Sequence, residues 1–306
     1  MAIKGIYFNR YGNQQLVTIS RDTASPTTVT IGRYRKILNE KIQTINLTPY
    51  LREGINLGAV VSGRYTDEGN AIPVQITVEG RVYDNGESYT IGDDATELGH
   101  CASDLPYRVI SQGQTDAVTV YLQDGERAEL EMNRALINDA RCSGVGSFFA
   151  MNISPIADFI NVSKILKDLS VNYSQDIHYI FRPMGLNGKR IAWLNRYGAL
   201  DFWNFDYLRE QSFGATAETI YTHNGYKKIG RTAEKVYVVE TREATREAID
   251  ALSFIIASPA VWIVNDDLTG NPTFEEVDVI TEECKVFDSK ELIGLQIAYR
   301  PKQRVL

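Results

Sequence analysis

β-Branched runs cut short by Gly, Pro and Asn recur along this chain, and they constrain its fold more than any other feature. Residues 15–20 and 27–31 are such runs, parted by Ser25-Pro26. Residues 74–78 alternate apolar with polar side chains, and Arg81-Val82-Tyr83 continues that strand beyond Gly80. Asn85-Gly86 follows, a pair that tolerates positive φ at both positions and so marks a hairpin. Residues 117–122 running into Asp124-Gly125 repeat the strand-to-turn pattern, whereas residues 126–142 fit a strand or a helix equally well. The usage agrees: 10% of the residues are aromatic, 17 of them Tyr, and 23 Gly punctuate the chain. That is a strand-and-turn composition rather than that of a helical bundle or a disordered chain.

The 306 residues suit two domains of about 100–200 residues each. Small residues accumulate at Ser143-Gly144-Val145-Gly146-Ser147, which places the boundary at 145/146. Ser154-Pro155 has the form of a helix start, with Ile156, Phe159, Ile160 and Ile165-Leu166 as its buried stripe. The clearest helix spans residues 241–256, where Ala244, Ala248, Ile249, Leu252, Ile255 and Ile256 recur at three- and four-residue spacing before Ser258-Pro259. The apolar run 261–264 reads as a buried strand, and residues 277–280 and 293–299 as further strands. The expected fold is mainly β: a jelly-roll-like β-sandwich over 1–145, then a smaller α+β part over 146–306 with one helix packed on a sheet.

A net charge of −7 argues against nucleic acid as a partner of the whole chain. Three widely spaced cysteines form neither a CxxC pair nor a disulfide framework and fit synthesis in a reducing cytoplasm. No apolar run has the length of a membrane span. His100-Cys101, near Asp93-Asp94 and Asp104, invites a thiol nucleophile or a metal site. Neighbours in a strand point to opposite faces, however, and ligand spacings such as HxxxH are absent. The adjacent acids Asp266-Asp267, Glu275-Glu276 and Glu282-Glu283 read as solvated surface, and Arg33-Tyr34-Arg35-Lys36 is a small basic footprint in an acidic chain. No catalytic, metal or cofactor-binding residue is expected.

Two stretches carry more. In residues 46–57, Thr48 can accept free helix amides, Pro49 suits the first helical position and Gly54 supplies a left-handed exit. This corner is similar to one found in jelly-roll domains of the carbohydrate-binding kind, and implies a single helical turn between strands. The second stretch, residues 189–205, reads as a hairpin with aromatic residues on both sides of an Asn/Gly corner. Asn195-Arg196-Tyr197-Gly198 there repeats Asn9-Arg10-Tyr11-Gly12, which reads as two similar corners. One reading of the aromatic hairpin is core; the other is a subunit interface, where Trp, Tyr and Arg concentrate. Because charges interleave with the aromatic residues, the interface reading is expected, through Arg190, Trp193, Arg196, Tyr197, Trp203 and Asn204.

The string Trp193-Leu194-Asn195-x-x-Gly198-x-x-Asp201-Phe202 resembles virion structural proteins of tailed bacteriophages, especially those infecting gut Bacteroidetes. The resemblance covers residues 190–205 and the layout of the C-terminal half. It implies a non-enzymatic tail component (hub, ring or baseplate) located in the virion, assembling with copies of itself in a ring and with other tail proteins. The N-terminal corner supports a different expectation, a carbohydrate-binding or receptor-recognition module.

Overall fold

The computed structural model describes residues 6–9, 14–22, 26–31, 34–53, 65–66, 72–78, 81–82, 88–95, 98–144, 146–166, 172–185, 187–266, 272–281, 285–289 and 292–302. The fold is mainly β, with several sheets and, among the described residues, two short α-helices. No helix among the described residues is long and apolar enough to cross a membrane.

Separate apolar cores organise the described residues. In the N-terminal part, strand Leu16–Ser20 pairs with Ile42–Asn46, and Thr27–Ile31 lies between Tyr34–Leu38 and Ile76–Val78. Alternate residues of these strands, among them Ile19, Ile45, Val29, Ile31 and Ile76, meet in one core with Leu47 and Leu51. The period-two pattern read in the sequence thus buries one face of each sheet. Helix α1 (Thr48–Glu53) sits at the expected corner. Its amide capping differs from expectation: Asn46 Oδ1 accepts the Thr48 amide, while Thr48 Oγ1 accepts the amide of Gln15 and so ties the turn to the neighbouring strand. Gly54, Asn85-Gly86 and the first Arg-Tyr-Gly corner lie outside the described residues.

The middle part is a β-sandwich. Strand Asp116–Leu122 pairs with Ser147–Ile153, which also takes Tyr65–Thr66. Opposite them lies a five-stranded sheet in the order Arg108–Ile110, Asn172–Phe181, Phe159–Ile165, Arg127–Met132, Ala135–Arg141. Val118, Val120, Phe149 and Met151 from the first sheet pack on Leu130, Ile160, Val162 and Ile177 of the second. Two expectations change here, and one open reading is resolved. The 145/146 boundary falls inside the Asp116–Leu122/Ser147–Ile153 ladder, so it separates no two cores. The ambiguous segment 126–142 is a hairpin, turning at Asn133 and Arg134 with both at positive φ. No helix follows Ser154-Pro155: Phe159–Ile165 is a strand whose partners on both sides complete the sheet, so tertiary pairing overrides a helix-like start.

The C-terminal part is an eight-stranded antiparallel sheet. Helix α2 (Arg246–Ser253) and the 3-10 turn Phe254–Ala257 cover one face, where Ala248, Ile249, Leu252 and Ile255 meet Ile191, Trp193, Trp203 and Phe205. The other face packs Ala192, Leu194, Leu200, Phe202, Trp262 and Val264 against Ala117 of the sandwich. The helix begins later than the periodicity predicts. Residues up to Ala244 remain in a strand, and Thr245 caps α2 by accepting the Ala248 amide at 3.3 Å.

Candidate interaction site

The aromatic hairpin, Lys189–Leu194 with Leu200–Phe205, pairs strand to strand as the sequence predicts, but it is not a surface. Trp193 is 0% exposed, Arg190 and Trp203 1%, Asn204 2% and Tyr197 6%. Five of the six expected interface residues are therefore committed inside their own chain. Only the Arg196 side chain reaches solvent, and it pairs with Asp104 at 2.6 Å. The expectation failed because the chain brings counter-groups from elsewhere. Arg190 bridges Asp266 at 2.9 Å and the Thr115 carbonyl, and lies over the Phe202 ring at 4.7 Å. Trp203 Nε1 donates to Thr241 Oγ1 at 3.0 Å, and Asn204 donates to Gln114 Oε1 at 2.8 Å.

The Asn and Asp of the Trp-Leu-Asn string bind each other. Asn195 Oδ1 accepts the amides of Tyr197 and Ala199, closing the corner, while its Nδ2 donates to Asp201 Oδ2 at 2.8 Å and to the Ala102 carbonyl. Asp201 also accepts from Ser103 and, at 2.9 Å, from Arg108, whose other nitrogen reaches Asp116 at 2.9 Å. Tyr179 OH completes the set on Asp116 at 2.8 Å. Burial pushes the Asp201 carboxyl above its ordinary value against the pull of Arg108, Asn195 and Ser103. These groups join the sandwich to the C-terminal sheet, with the Arg108 guanidinium shared by two carboxylates whose other oxygens accept from neutral donors, as buried ionic groups require. Sequence reasoning missed Arg108 and Asp116, because what joins them to the hairpin is Asp201, 93 residues from Arg108, and no local spacing shows it.

The catalytic candidates resolve as separate pieces. His100 Nδ1 lies 2.7 Å from the Cys101 carbonyl oxygen. Burial pushes the Cys101 thiol from its ordinary 9.0 up to about 12, so no thiolate forms near neutrality. Asp266 is spent on Arg190, and Glu276 pairs with Lys302. Among the described residues no three His, Cys, Asp or Glu side chains are placed to hold a metal ion.

Two surface features remain. The first is an arm, formed by strands Tyr207–Thr222 and Gly225–Ala244. The second strand also pairs with Leu292–Pro301, but only from Tyr237 inward. Outward of that point, among the described residues, the two strands pair with each other alone down to Thr222↔Gly225. Thr222 Oγ1 donates to the Gly225 carbonyl, and Gly225 sits at φ +96°, a conformation that side-chain-bearing residues rarely adopt. At the tip Tyr221 and Tyr226 stand opposite one another, rings 5.2 Å apart, 78% and 82% exposed. Ile220 and Lys227 beside them are exposed too. An isolated two-stranded hairpin is marginally stable in water, and beyond the contact with each other the two tyrosines at its end leave most of their surface in solvent.

The second feature is a cleft of about 580 Å³ where three parts of the chain meet. Asp93 follows the last described strand of the N-terminal part, Arg196 belongs to the corner and is paired with Asp104 from the segment before Arg108, and Glu247, Asp250, Ala251, Phe254 and Ala257 come from α2 and the turn after it. The N-terminal part reaches the corner closely: the Asp93 amide donates to the Arg196 carbonyl at 2.6 Å, and a Cβ on Gly92 would stand 2.3 Å from the Tyr197 carbonyl carbon. Four carboxylates against one guanidinium leave the lining at a formal −3.

No protein-family model matches this sequence, and no curated protein matches it either.

Proposed function

We propose that this chain is a non-enzymatic structural protein of a tailed-bacteriophage virion, a tail-region component of the hub, ring or baseplate kind. It works by assembling with copies of itself and with other tail proteins. The observation that carries this reading is the arm: a long two-stranded ribbon that, outward of Tyr237, pairs with no other strand among the described residues and ends in exposed aromatic side chains. Such an element has an energetic use only when something packs against it. The string at 193–202, with its likeness to phage virion proteins, supplies the kind of assembly. It acts within the chain as a rigid base from whose sheet the arm extends, so the contact surface moves from the aromatic hairpin to its neighbour in sequence.

The test is the mass of the purified full chain in solution, followed by sedimentation across a wide concentration range, with and without the arm. Replacing residues 212–236 by Asn-Gly keeps the Gln211↔Tyr237 pair beside a two-residue turn that suits a hairpin. The parent should form discrete oligomers and the shortened chain should stay monomeric. Antibodies to the chain should label the tail of particles made from the genome that encodes it. A parent that stays monomeric and labels no particle, or one that binds a glycan panel instead, overturns the reading.

A further inference from the structure

We propose that the arm tip of one copy seats in the acidic cleft of the next copy, giving a head-to-tail contact. This rests on the assembly reading above and names the two surfaces that meet. Three observations carry it.

The first is charge. The chain as a whole is acidic at −7, yet the end of the arm from Ala217 to Arg231, which stand opposite each other, holds Lys227, Lys228 and Arg231 against Glu218. The cleft is the complement, with Asp93, Asp104, Glu247 and Asp250 outnumbering Arg196. Arg196 already neutralises Asp104, while Glu247 and Asp250 have no ion-pair partner among the described residues. Complementary potentials of this kind steer encounter and fix the register of two surfaces.

The second is shape and polarity. Ala251, Phe254 and Ala257 add apolar surface to the acidic lining of the cleft. The tip presents a matching arrangement, a Tyr221–Tyr226 pair flanked by Lys227. A cleft of about 580 Å³ is of a size that admits such side chains. Tyrosine supplies apolar area with a hydroxyl at its end, the usual anchor of a contact with a polar rim.

The third is reach. Gly225–Ala244 is one strand of 20 residues, on the order of 60 Å long at ~3.3 Å per residue. It runs straight into Thr245 and helix α2, which lines the cleft. Tip and cleft therefore sit at opposite ends of one strand, and a chain cannot satisfy its own cleft without breaking the ladder. The contact joins two different patches, so repetition generates a ring if the rotation closes and a filament if it does not.

Two variants of the full chain test this: Tyr226→Ser with Lys227→Glu at the tip, and Glu247→Lys with Asp250→Lys in the cleft. Each should weaken self-association roughly 30-fold or more, the loss of one anchoring contact. The decisive sample is their mixture. A tip-defective chain and a cleft-defective chain share one intact junction, so the mixture should stop at a one-to-one dimer while the parent builds larger species. If both variants assemble as the parent does, assembly stands but this contact is wrong. If the mixture fails to dimerise, the head-to-tail pairing is wrong. A parent that is monomeric throughout overturns this contact and the assembly reading together. Glu247→Gln with Asp250→Asn, which keeps shape and removes charge, replaces the cleft variant if its unfolding midpoint falls. It should act in the same direction, and parent-like assembly by this variant counts against the contact.

Discussion

Two hairpins adjacent in sequence, Lys189–Phe205 and Tyr207–Ala244, are made from similar residues and meet opposite fates. Both mix Arg or Lys with large aromatic side chains. The first is sealed between helix α2 and the sandwich, and its Arg190, Arg196 and Asp201 are met by Asp266, Asp104 and Arg108 from other segments. The second leaves the sheet and holds Tyr221 and Tyr226 in water. Charge within an aromatic strand is thus no sign of exposure. What matters is whether another segment supplies the counter-charge at hydrogen-bond distance in a dry place.

That contrast can be broken by experiment. The largest effect is expected at Asp201→Ala, which strips Arg108, Ser103 and Asn195 of a shared acceptor. Removing one partner of a buried ionic set costs about 3–5 kcal/mol. Urea unfolding measures it, and a loss below about 1 kcal/mol would mean that the network does not hold the hairpin in place. Next is Gly92→Ala, whose Cβ collides with the Tyr197 backbone. Backbone displacement of this kind costs about 1–3 kcal/mol, and hydrogen exchange at Asp93 should rise with it. A variant as stable as the parent would show the N-terminal part to dock loosely on the corner.

The third is a pH effect. The Cys101 thiol is neutral in the fold up to about 12 and ionises from 9.0 in the unfolded chain. The unfolded state therefore holds fewer protons across that window, and stability falls as pH rises, by up to about 1.4 kcal/mol per unit from this group. The contribution is fully present below 9.0 and is lost on approach to 12. Tyr121, Tyr179 and Tyr299 are also pushed up by burial, so the comparison is between the parent and Cys101→Ala. The variant should show the shallower slope; equal slopes would place the thiol in water. The smallest effect belongs to the arm. Tyr226→Ser with Lys227→Glu should move the unfolding free energy by no more than about 0.5 kcal/mol, as surface changes do, while assembly collapses. A large loss of stability would make the tip part of the core.

Local chemistry was legible. Strand runs, the turn at Asn195–Gly198, the corner at Thr48-Pro49, the buried strand Val261–Val264 and the apolar face of α2 follow from periodicity and turn residues that act over a few positions. The arm was also within reach, since Asn224-Gly225, after Tyr221-Thr222-His223 and before Tyr226-Lys227, is the same dipeptide signal as Asn85-Gly86. Its length and isolation were not, because they depend on where Leu292–Pro301 stops pairing.

By itself, then, the sequence determined the β class, the punctuation of strands and the face each strand would bury where only one face is covered. The tertiary structure decided what lies inside. Lys189–Leu194 and Leu200–Phe205 are covered on both faces, so period two gives no direction there, and even Arg190 is interior. Whether that arginine belongs to core or surface depends on Thr115 and Asp266, each about 75 residues away, and no rule of local spacing connects them.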